Sequence, residues 1–164
     1  MNRLYGTIRS VSDGVNRVVE WGLFAIGSAM ALVVALQVFF RYVLNDSLFW
    51  SEELGRMFLV WLTFLGATVA YKRKAHVGVD LLVASVSFPV RRVLRVTVAV
   101  GSLLFFWFIA FHGFEFFQFI HSQQTASLGV SRRVPFVMVP VSGCILILHG
   151  VLFLVDGFRK DDRL

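Results

Sequence analysis

The stretch RYVLNDSLFWSEELGRMFLVWLTFLGA, residues Arg41–Ala67, decides how this chain is read. Glu52, Glu53 and Arg56 run straight into an apolar segment, and no further charge occurs until Lys72. The uncharged interval, residues 57–71, is 15 residues long. As a helix it rises about 22 Å, short of the roughly 30 Å of a bilayer's hydrocarbon core. It can cross only if the helix begins earlier, near Trp50 or Ser51. Arg56 and at least one glutamate then sit at the headgroup boundary, or the bilayer thins locally. Ser51 is a candidate N-cap, and both glutamates suit a helix N-terminus through the macrodipole. Arg56 lies i+4 from Glu52 and i+3 from Glu53, so one carboxylate can pair within the helix. The other needs a partner from elsewhere, with Arg41 or a neighbouring subunit as candidates.

The rest of the chain makes a membrane setting the natural one. It has 164 residues, 57% hydrophobic, with 18 Phe. A soluble domain of this size cannot bury so much apolar surface. Three more charge-free stretches, 21–40, 96–114 and 134–155, are 20, 19 and 22 residues long, each sufficient for a span. The expected architecture is all-α: one integral membrane four-helix bundle, residues 1–164, with spans at about 18–40, 51–71, 93–114 and 134–155. The first apolar run is too long for a signal-peptide core and lacks a following small-residue cleavage site, so it reads as a retained span.

The net charge of +6 is a topology signal rather than a nucleic-acid footprint. Lys and Arg in alternate flanks total 12 and 4, which predicts an N-in/C-in orientation with the 72–95 loop in the cytoplasm. Residues 1–17 place Leu4, Tyr5, Ile8, Val11 and Val15 near helical spacing among arginines, the pattern of a short interfacial amphipathic helix. A second surface segment is expected within 75–95. Gly27, Ala31 and Ala35 form a small-residue stripe on span one that could admit another helix closely. The Phe-rich span three reads mostly as lipid-facing bulk, and Pro140 is the expected kink of span four.

Chemistry of its own is hard to find. No Asp, Glu, Lys or Arg lies between the flanking charges of any span, whereas ion and proton pathways normally use such residues. His112 and His149 fall near opposite membrane faces, about 15 Å apart in depth, so they cannot ligate one haem. No metal-ligand spacing or activated nucleophile appears, and Cys144 reads as packing. No enzyme, cofactor or metal is expected. A haem-bearing membrane anchor and a small dimeric exporter are the competing classes; Glu20, at the edge of span one, is the nearest to an embedded carboxylate. What remains is an accessory or scaffold subunit.

The central block resembles a known family. Arg41-Tyr42, then Trp50-Ser51-Glu52-Glu53 and Arg56, a Trp-rich second span, and a loop with Ala75, His76, Gly78, Val79 and Asp80 are similar to the small membrane subunit of tripartite ATP-independent periplasmic (TRAP) transporters. Gln124, Leu128-Gly129-Val130, Pro140 and Gly143 also fit, while Ser131-Arg132-Arg133 departs from the pattern. The resemblance implies a bacterial inner-membrane protein partnered by a large multi-span permease subunit and, transiently, by a periplasmic substrate-binding protein. It implies sodium-coupled import of an organic acid, typically a carboxylate. Arg41, Trp50, Ser51, Glu52, Glu53 and Arg56 become the expected partner-interface or structural polar cluster, with His76, Gly78 and Asp80 as a cytoplasmic loop motif.

Overall fold

The computed structural model describes residues 2–73 and 88–161. The loop motif His76, Gly78 and Asp80, and the surface segment expected there, lie outside the described residues. Helix α1 spans Asn2–Tyr42, α2 Phe49–Lys72, α3 Phe88–Phe119, α4 Arg133–Phe136 and α5 Met138–Asp161. A 3-10 turn, Ile120–Ser122, follows α3. Among the described residues, four helices are long and apolar enough to cross a membrane, with α4 serving as the first turn of the fourth.

Helix α1 corrects one expectation. The amphipathic N-terminal segment is not a separate surface helix but the first turns of one continuous 41-residue helix. Nothing between Arg17 and Trp21 breaks it: no proline occurs, and the only nearby glycines, Gly14 and Gly22, are tolerated at a modest cost. At 1.5 Å per residue it is about 60 Å long, roughly twice the hydrocarbon thickness. Helix α1 turns into α2 through Asn45, whose φ of 52° is the left-handed conformation that Asn tolerates better than most residues.

Helix α2 begins at Phe49, which lengthens the 15-residue uncharged stretch to a 24-residue helix, about 36 Å. The interruption in the fourth span falls at Val137, three residues before Pro140, and its backbone stays helical (φ −58°, ψ −28°). Proline at 140 has no N–H for the Phe136 carbonyl, so one rung of the helix is lost at this point.

The helices pack in the lateral order α1, α2, α5, α3, with α1 also reaching α5. The most extensive contact is between α3 and α5. Glycines set it: a Cβ on Gly143 would lie 2.7 Å from the Ala110 backbone nitrogen, and one on Gly150 2.8 Å from Leu103 Cδ2. Gly113, on the α3 side, would meet Val139 Cγ1 at 2.9 Å. The stripe Gly27, Ala31 and Ala35 does not do this job. It lines an open apolar hollow of about 810 Å³ along α1, with only Leu62 at 4.0 Å from a Cβ at Gly27. Val19, Leu65 and Val69 form one small buried cluster, with Val15, Leu23, Ile26, Met138 and Ile145 around it. The outward faces of α1 and α3 expose Trp21, Phe24, Leu32, Trp107, Phe108 and Phe114. A hydrocarbon solvent removes the penalty that water would impose on them, which is why the aromatic bulk of α3 can face outward.

Buried hydroxyls are mostly satisfied within their own helices. Thr68 Oγ1 donates to the Leu65 carbonyl at 2.7 Å and Ser142 Oγ to the Val139 carbonyl at 2.9 Å.

Candidate functional site

The acidic element at the start of α2 is built differently from its sequence-based expectation. Ser51 is not the N-cap: Leu48 holds that position without a side-chain cap, and Ser51, buried in the first turn, donates its Oγ proton back to the Leu48 carbonyl at 2.6 Å. Glu52 accepts from Arg56 Nη1 at 3.1 Å, the expected i, i+4 pair, fully on the exposed side. Such a pair contributes little energy where solvent or headgroups screen it. Arg41 lies 5.8 Å from the ring of its neighbour Tyr42 and joins neither glutamate in an ion pair among the described residues. Trp50 is partly exposed on the same turn as Ser51.

Glu53 finds its partner in backbone, not in a cation. Its Oε2 accepts from the N–H groups of Ser127 and Leu128, both at 2.9 Å. Those amides cap a small hairpin. Thr125 N–H donates to the Val130 carbonyl at 2.8 Å, Arg132 N–H to the Gln123 carbonyl at 3.0 Å, and Gln124 bridges Ser131 between them. Gly129, at φ 64°, supplies the left-handed turn. Two consecutive N–H groups at a turn make a concavity for an anion, and Glu53 fills it from 74 residues away in sequence. The hairpin thereby locks onto the start of α2. Trp61 adds a second tie, Nε1–H to the Val134 carbonyl at 3.1 Å.

The departure at Ser131-Arg132-Arg133 now has a structural reason. Arg133 Nε donates to the Phe117 carbonyl at 3.1 Å, in the last turn of α3, and its guanidinium carbon stands 5.0 Å from the Phe117 ring. A cation at a helix C-terminus satisfies a free carbonyl and the dipole together. Arg132 Nη1 donates to Gln123 Oε1 at 3.2 Å inside the hairpin. Arg133→Ala is expected to cost about 1 kcal/mol, and thermal unfolding in detergent micelles against the native chain measures it.

The other end of the bundle holds a polar cluster that the sequence did not disclose. Lys72 Nζ, at the end of α2, donates to Asp13 Oδ1 at 2.6 Å and to Ser12 Oγ at 2.7 Å. Ser12 Oγ is 2.8 Å from His149 Nδ1 on α5. Ser12 is fully buried and His149 is 3% exposed. Beside them, Arg73 donates to Glu20 Oε1 at 2.7 and 3.2 Å, and Asn16 Nδ2 donates to the same oxygen at 2.8 Å. Three helices, α1, α2 and α5, are thus cross-linked by hydrogen bonds at one level. The available signal was the spacing Ser12, Asn16, Glu20 at i, i+4, i+8 on one face of α1, together with Lys72-Arg73. Nothing in the sequence pairs that face with His149. His112, by contrast, pairs with Glu115 at 2.7 Å on the exposed face of α3.

No group of three or more His, Cys, Asp or Glu positioned for a metal occurs among the described residues. What the described residues do offer is two polar clusters, one at each end of an apolar bundle, each tying elements together.

Residues 30–160 match the family described as tripartite ATP-independent periplasmic transporters, DctQ component. The sialic acid TRAP transporter small permease protein SiaQ of Vibrio cholerae is 24% identical over 87% of this chain and 80% of its own length. The C4-dicarboxylate TRAP transporter small permease protein DctQ of the same species is 37% identical over 48% of this chain, spanning 33% of that relative. The sialic acid TRAP transporter permease protein SiaT of Haemophilus influenzae is 24% identical over 88% of this chain but only 24% of its own length. With four membrane-length helices and a family match over most of its residues, this chain belongs to the DctQ family of small TRAP permease subunits, inner-membrane transporter components and not enzymes.

Proposed function

We propose that this subunit braces the large permease subunit of a sodium-coupled importer for an organic acid, handed over by a periplasmic binding protein. The observation that carries the reading is where charge and apolar surface fall. Between Glu20 and Arg41, Arg56 and Lys72, Arg95 and Glu115, and Arg133 and Asp156 there is no charged residue to escort an ion or substrate. Meanwhile, among the described residues, the long flanks of α1 and α3 are left uncovered by the other helices. A bundle with no pathway of its own and two unpartnered flanks acts by holding something else.

The match to SiaT supports the large-subunit partner. Nearly all of this chain aligns with a minor part of a much longer permease, so in that relative an equivalent segment is joined covalently to the rest. Sialic acid and C4-dicarboxylates, named for the relatives, share a carboxylate, which supports an organic acid as the imported class here. The basic flanks support the N-in/C-in orientation, with the Lys72 cluster facing the cytoplasm and the Glu53 cluster the periplasm. The whole chain acts as one membrane unit, crossing at about 18–40, 51–71, 93–114 and 134–155.

Arg41, Trp50, Ser51, Glu52, Glu53 and Arg56 form the periplasmic anchor in this reading, with Glu53 fixing the hairpin and the exposed Glu52–Arg56 pair meeting the partner. Purification of the tagged chain from native membranes in mild detergent should bring down a stoichiometric large permease. The triple variant Glu52→Gln, Glu53→Gln, Arg56→Gln should lose most of it. Unchanged co-purification would remove the anchor role, and a solitary native chain would remove the bracing reading itself.

A further inference from the structure

Hydrogen bonding at the three-helix cluster suits a neutral histidine. Lys72 can only donate, and it donates to Ser12 Oγ at 2.7 Å as well as to Asp13 Oδ1 at 2.6 Å. Having accepted from Lys72, the Ser12 hydroxyl has its single proton to give, and His149 Nδ1 stands 2.8 Å away. When that proton goes to the ring, Nδ1 offers a lone pair. The ring is then neutral with its proton on Nε2, which is buried and has no hydrogen-bond partner among the described residues.

A second proton on this ring would undo the arrangement. Nδ1–H would face Ser12 as a donor, so the serine would have to accept twice and turn its own proton away. The imidazolium would stand one hydroxyl away from the Lys72 ammonium, in a site where His149 is 3% exposed. The surroundings offer little compensation. From α1, the nearest carboxylate is Asp13, already bound by Lys72 and approached by Arg9 at 4.0 Å. Glu20 is taken by Arg73 of α2 and by Asn16. Tyr71 of α2 packs against Phe106 at 4.8 Å. From α3, the side chains against the next residue, Gly150, are Leu103 and Phe106, both apolar. A buried imidazolium and the partly buried Lys72 ammonium would thus share one carboxylate.

We propose that the chain Lys72–Ser12–His149 is a pH-operated clasp: closed while His149 is neutral, it holds the N-terminal half of α1 against α2 and α5, and it opens when the ring takes up a proton. The hydrophobic contacts of Val15 and Val19 lie just above it, so opening would loosen the Arg9–Val19 region first while the Gly143 contact between α3 and α5 stays closed.

The test uses the full chain in phosphatidylcholine nanodiscs. Hydrogen exchange of residues 9–19, corrected for intrinsic rate, is compared at about pH 7.5 and about pH 5. The native chain should exchange several-fold faster at the lower pH. His149→Gln can accept from Ser12 but cannot become charged, and it should show no such change. Equal acceleration in both proteins, or none in the native chain, would overturn the clasp. Should His149→Gln fail to fold, nitrogen NMR of histidine-labelled native chain decides. A neutral ring with its proton on Nε2 at about pH 7.5, converting to imidazolium as α1 loosens, supports the proposal; an imidazolium or an Nδ1–H ring at about pH 7.5 overturns it.

Discussion

Gly143→Leu separates α3 from α5 and lowers stability by about 3 kcal/mol, at the upper end of what overpacking costs. The reason is where the first added atom falls. A Cβ alone would lie 2.7 Å from the Ala110 nitrogen, 2.8 Å from its Cα and 2.9 Å from its Cβ, two of the three being backbone atoms. A flexible side-chain end could swing aside, but a helix backbone moves only as a unit, so the helices must part. This contact is the most extensive among the described helices, and parting it exposes Leu103 and Phe106. Gly101→Ala is the matched control: nothing lies within 4 Å of a Cβ there. It should be neutral or stabilise slightly, since alanine is the better helix former by up to about 1 kcal/mol. Thermal unfolding of the three proteins in the same detergent gives the comparison. Equal midpoints for Gly143→Leu and the native chain would mean that α3 and α5 do not approach as described.

Ser12→Ala is the second large effect, about 2–3 kcal/mol at neutral pH. The hydroxyl is fully buried and joins Lys72 to His149. Its removal leaves the His149 Nδ1 acceptor without a partner in a site closed to solvent. Lys72 loses less, because it keeps Asp13, and Asp13 is half-exposed and can be hydrated. Replacing the other partner as well should recover part of the loss, since an apolar pair leaves no orphaned polar atom. The double variant Ser12→Ala, His149→Leu should therefore be more stable than the sum of the two single losses by about 1 kcal/mol. A double-mutant cycle by thermal unfolding measures that coupling, and strict additivity would show that the two side chains do not interact.

Much of the fold was legible. Charge-free stretches announce the spans because hydrocarbon excludes ionised groups, a property of each segment taken alone. The short second interval called for an earlier helix start, and Phe49 provides it. Glu52 with Arg56 was readable because both lie on one helix, where spacing is geometry. The N-terminal segment was misread as a separate surface helix because amphipathic periodicity says which face is polar, not where a helix stops.

The contacts that join helices were not legible in this way. Glu53 seemed to need a cation, yet its partners are the backbone amides of Ser127 and Leu128, whose side chains carry no charge to advertise the role. The visible small-residue stripe, Gly27, Ala31 and Ala35, faces an open hollow, while the close approach falls at Gly143, Gly150 and Gly113. Ser12 and His149 are 137 residues apart and meet only because α1 is continuous and α5 lies beside α2. The sequence by itself determined that this is a membrane protein of four crossings with its charges at the ends, since the cost of burying charge is paid residue by residue. Only the tertiary structure decided which polar groups meet across those ends, since that depends on the rotation and depth at which each helix packs against the next.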